Sequence, residues 1–139
     1  VASPQIVALP ALRLACRPVT ASGEDGALLL AEAAALLTWA RQHGRASAPW
    51  VVVDGERIEV AAPIPRDVEL LDGLGERALP PGRFAALEIE GWQLSAIKAA
   101  ASTLRAKPPE VQLAGADEPV FARLGEDGAN VHLRIVEPA

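Results

Sequence analysis

The sequence predicts an α+β fold, a tandem β-α-β-β repeat with pseudo-twofold symmetry, antiparallel sheets, two helices and a central groove. Three observations predict it. LPALRLACRPV at 9–19 is echoed by LPPGRFAALEI at 79–89: Leu9, Pro10, Arg13 and Ala15 are matched by Leu79, Pro80, Arg83 and Ala85, and Leu14 by Phe84. Each copy is followed by an alanine- and leucine-rich segment with helical spacing. Each of those segments leads to a proline and a short alternating run, PWVVVDG at 49–55 and PEVQLAG at 109–115. The chain therefore reads as a single domain over 1–139, with repeat one at about 5–65 and repeat two at about 68–137.

In chain order, the first helix is predicted over 24–43. Ser22 and Asp25 form a capping box, Gly44 is the stop, and Leu29, Ala33, Leu36 and Ala40 make the buried stripe. A strand at 49–55 turns through DGE into a second strand, RIEVAAPI, at 57–64. A bridging strand at 68–71 leads into the second copy. The second helix is predicted over 92–106, with Leu94, Ile97, Ala101 and Leu104 inward and Pro108 as terminator. The strands at 109–115 and 131–136 follow, with the GEDGAN turn between them.

Composition narrows the function. A chain of 139 residues, half of them hydrophobic, can bury a core without staples. A net charge of -5, with Lys and Arg scattered, argues against direct nucleic-acid binding by this segment. Cys16 is the lone cysteine, so an intrachain disulfide is impossible; with His43 and His132 it makes no zinc set, and no metal or cofactor is expected. A single thiol in an apolar run reads as a small buried hydrophobe, with the cytoplasm the expected compartment. No run of 18 apolar residues exists and no signal peptide is visible, so no membrane partner is expected. His132 has no nucleophile motif beside it, and no catalytic residue is assigned. DGLGERALPPG lacks phosphate-loop spacing. His43, near a helix end, reads as a dipole-compensating residue.

The duplication, LPPGRFAALEIEGW, PEVQL and VHLRIV together resemble the GyrI-like, gyrase-inhibitory-protein-type effector-binding family. Such domains occur alone or at the C-termini of bacterial, multidrug-responsive transcription regulators. The resemblance implies a small-molecule ligand, drug-like and cationic or aromatic, held as a sensor or by sequestration. Glu110 falls on the family's ligand carboxylate. Gln112 stands where a tyrosine is usual, and Gly91-Trp92 replaces Gly-Pro-Tyr. A DNA-binding module, if there is one, would precede this segment. The resemblance also allows a hydrolase of reactive cytotoxic compounds, or a protein-binding module.

Within the duplication, Trp50 stands where the second copy has Glu110. A ring and a carboxylate facing one groove suit a flat cation, through stacking worth about 0.5–2 kcal/mol and through charge pairing. Glu110 reads otherwise as a hydrated strand-end charge. Trp39, Trp50 and Trp92, each near a segment junction, are candidate aromatic walls, with Phe84 and Gln112 as further contacts. Phe84 also reads as core, because it lies on an alternating strand. Glu88 and Glu90 read as water-facing, with Glu88 a second-choice pocket acid.

Overall fold

The computed structural model describes residues 3–20, 26–44, 48–106, 111–115 and 117–136. Among them the elements run β1 (Gln5–Leu9), β2 (Leu12–Pro18), α1 (Gly26–Arg41), β3 (Trp50–Asp54), β4 (Arg57–Ile64), β5 (Gly75–Leu79), β6 (Gly82–Glu90), α2 (Leu94–Ala106), β7 (Val120–Leu124) and β8 (Gly128–Arg134). The strands form one eight-stranded antiparallel sheet in the order β1-β6-β8-β7-β3-β4-β2-β5. The class is α+β, as the sequence predicts.

The order reads the same from either end when β1 to β4 are exchanged for β5 to β8. The first strand of each half pairs with the other half, β1 on β6 and β5 on β2. Only Pro10 and Ala11 join β1 to β2, although these strands take the first and seventh places in the sheet. Six flat interstrand spacings would hold them about 29 Å apart. Three Cα steps reach no more than about 11 Å. The sheet must therefore curl until its ends approach. Pro80 and Pro81 impose the same condition on β5 and β6.

Curling gives the sheet an inside and an outside, and strand alternation sorts the side chains between them. Leu14, Cys16, Trp50, Val52, Ala61, Leu79, Phe84 and Phe121 form the inner cluster. On the outer face, Val51, Val53, Val60, Ala85, Val131 and Leu133 meet the helices. Helix α1 buries Leu29, Ala33, Leu36, Leu37 and Ala40, and α2 buries Leu94, Ile97, Ala100, Ala101 and Leu104. Each fully buried Leu or Ile contributes roughly 1.5–3 kcal/mol. Helix α1 lies over β3 and β4, and α2 over β6 and β8, so the central β3·β7 pair runs between them.

Several predicted elements shift. The first helix spans Gly26–Arg41 and closes with tight bonds from Gln42 N to Trp39 O and from His43 N to Ala40 O. Ser22, Asp25 and Pro108 lie outside the described residues. The second helix begins at Leu94, two residues beyond Trp92. No strand forms at 68–71. There the Arg13 guanidinium binds the Pro65, Arg66 and Val68 carbonyls at 2.9, 3.1 and 2.7 Å, and β5 opens the second half instead. The last strand spans Gly128–Arg134 rather than 131–136.

The largest correction concerns the strand expected at 109–115. Its described part, 111–115, makes one isolated bridge, Leu113 to Ile135. The strand that occupies the place equivalent to β3 is β7. Two-residue turns close both hairpins: the Asp54–Arg57 pair closes one, and Gly125 N bonded to Gly128 O closes the other. In register, Trp50 opposes Ala61 and Phe121 opposes His132. The counterpart of Trp50 is thus Phe121, and not Glu110, which lies outside the described residues.

Candidate functional site

The gap between the helices leaves a cleft of about 290 Å³ on the outer face, beside α2. Its floor is apolar and comes from both halves: Val53 on β3, Val120 on β7, and Ile97 and Ala101 on α2. Gly55, in the β3–β4 turn, closes one end. Lys98, Ser102 and Arg105 stand along the rim with Glu118. Their spacing of four and then three residues puts the three α2 side chains on one flank of the helix.

The rim charges are unequal. Glu118 is held by Arg134 through two bonds, Nε at 2.9 Å and Nη2 at 2.5 Å. That pairing keeps the Glu118 carboxyl below its ordinary range. Arg105 is different: its Nε is buried and has no hydrogen-bond partner among the described residues. A buried unpaired N–H costs about 1–3 kcal/mol, so this atom is the rim's unmet donor.

A second hollow, of about 580 Å³, lies along α1, lined by Ala27, Leu30, Ala31, Ala34, Trp92 and Gln93. The Trp92 indole Nε1 donates to Gly125 O at 3.0 Å, which fixes the ring there. Close approach of the chain explains Gly26, where a Cβ would sit 3.0 Å from Gln93 N. An open trough of about 750 Å³ at the far end of β6 and β8 carries Glu88, Glu90, Glu126 and Asp127. All four carboxylates are exposed, and like charges crowded in water stay hydrated. The trough is a solvated acidic edge.

The described residues among those singled out in the sequence do not converge. Trp50 is 3% exposed and packs in the inner cluster with Phe84, which is fully buried. Its ring lies 5.5 Å from that of His132, whose Nδ1 donates to Phe121 O at 3.2 Å. Burial holds the His132 pKa below its ordinary value. Burial also pushes the Cys16 thiol up to about 12, helped by the nearby Glu59 charge. Trp39 is half-buried on α1, its ring 5.1 Å from that of His43. Gln112 is exposed, and its carbonyl accepts from Val136 N at 2.8 Å. Trp92 alone of the three tryptophans borders a hollow described above.

Sequence reading missed Lys98, Ser102 and Arg105. Their signal is a polar flank on an otherwise apolar helix, which reads as a plain solvent face until the β3·β7 pair is placed beneath it. Among the described residues, no group of three or more His, Cys, Asp or Glu can hold a metal ion. No described helix is long and apolar enough to cross a membrane. Comparison with protein-family models and with curated proteins gives no match to this chain.

Proposed function

We propose that this chain is a small-molecule-binding domain, a sensor or sequestering module for an amphipathic compound, with its ligand in the cleft between α2 and the β3·β7 pair. One observation carries the reading: an apolar floor built by both halves lies under a short polar rim that contains an unmet donor. Ligand sites are characteristically concave and apolar, with few oriented polar groups. The resemblance to GyrI-like effector-binding domains supports the same reading. The expectation of a cationic ligand rests on Glu110, while the described rim carries Lys98, Arg105 and an already paired Glu118.

Ser102 is exposed on that rim, so Ser102→Trp should cap the cleft without disturbing the core. Titration with the neutral fluorophore phenylnaphthylamine should show saturable binding to the parent protein and at least tenfold weaker binding to the variant, the order expected when a buried apolar contact is lost. Equal affinities would place the ligand elsewhere. Recovery of the probe unchanged separates binding from turnover.

A further inference from the structure

The rim's chemistry points to the charge of the ligand. We infer that the cleft takes an amphipathic organic anion, a carboxylate or sulfonate on an apolar body, with the anionic head on Arg105, and Lys98 adding positive charge along the rim. The inference rests on the reading of the cleft as the ligand site.

Arg105 and Lys98 stand two helical turns apart on one flank, about 10 Å along the α2 axis, with Ser102 between them. Neither cation has an ion pair among the described residues. The one carboxylate on the described rim, Glu118, is already bound by Arg134 at 2.5 Å. The described lining thus leaves two positive charges uncompensated over an apolar floor. Arg105 stands in the last turn of α2, where a cation offsets the helix dipole. That explains its charge, but not an Nε that is buried and, among the described residues, unpaired. A guanidinium edge presents parallel N–H groups that match the two oxygens of a carboxylate, and Nε belongs to that edge. An anion that draws the guanidinium edge toward the cleft would supply the missing acceptor. Its apolar body would cover Val53, Ile97, Ala101 and Val120.

The experiment compares three fluorescent probes by titration at low salt: anilinonaphthalene sulfonate as the anion, phenylnaphthylamine as its neutral analogue, and an acridine cation. The parent should bind the sulfonate about tenfold or more tighter than the neutral amine. Arg105→Gln should abolish that preference, weakening the sulfonate about tenfold or more relative to the neutral amine. Arg105→Lys, which keeps the charge and loses the fork, should fall between the two. Thermal unfolding checks that each variant is folded. Equal affinity for sulfonate and neutral amine, tightest binding of the acridine, or a sulfonate preference that survives Arg105→Gln would overturn the anion assignment while leaving the cleft as the site. If no probe binds saturably, or Ser102→Trp changes nothing, the site itself is wrong and the inference falls with it.

Discussion

His132 is buried, its ring near those of Trp50 and Phe84, and burial keeps it neutral. The unfolded chain binds the proton more readily, so stability is complete above about pH 6.5 and falls as pH drops toward the depressed folded value. Chemical denaturation at pH 7.5 and 5.5 should show the loss, and His132→Gln should flatten that pH dependence. An unchanged slope in the variant would remove His132 as the cause. Glu118, depressed by Arg134, adds stability that is complete above about pH 4.5 and is lost as pH falls below it. The inner face also holds Glu59, 5% exposed and paired with Arg77, which reaches Asp54 as well at 3.1 Å. Burial works against the Arg77 charge, but the Glu59 and Asp54 carboxylates outweigh it and raise its pKa. Arg77→Gln should destabilise the fold by roughly 1–3 kcal/mol, because the buried Glu59 carboxylate loses one guanidinium partner and keeps the other, Arg57 at 3.1 Å. A urea midpoint within error of the parent would contradict that.

At the scale of elements, the hairpins depend on individual glycines. Gly55 has φ 62 in the two-residue β3–β4 turn, a conformation other residues resist. Gly128 opens β8 against β6, where a Cβ would lie 2.0 Å from Ile89 O. Gly128→Ala should therefore part β8 from β6 at Glu90 and cost more than the ~1 kcal/mol of an ordinary Gly→Ala change in a strained turn. Amide exchange should quicken at Ile89 and at Gly91, whose N–H donates to Asp127 O at 3.1 Å, and unchanged protection there would refute the close approach. Strand β4 was legible from end to end, because RIEVAAPI alternates between a turn and a proline. The helix stripes were legible because their spacing is local. Strand β7 was missed because PEVQLAG alone reads as the strand after the second helix, and only long-range pairing with β3 selects PVFARL instead. That choice also decided the fate of Glu110 as the mate of Trp50. The rim of Lys98, Ser102 and Arg105 was illegible for a similar reason: a polar helix flank becomes a site wall only when a sheet seam lies below it.

For the whole molecule, the exchanged first strands and the two-residue linkers make the curl a condition of folding. Each half completes the sheet edge of the other, so neither half closes its own inner cluster. Truncation of residues 1–10 would strip β1 from β6 and open the region beside Phe84. The shortened chain should lose cooperative unfolding in urea; a sharp transition near the parent midpoint would show that the exchange is dispensable. The same architecture places β3 beside β7 and leaves the gap between the helices in which the cleft lies. Its occupancy is tested most directly by backbone amide NMR during titration with anilinonaphthalene sulfonate. Shifts concentrated at Gly55, Lys98, Ser102, Arg105 and Val120 are the predicted result. Shifts confined to the acidic trough at Glu88 and 126–130, or no saturable shifts at all, would contradict the cleft as a ligand site.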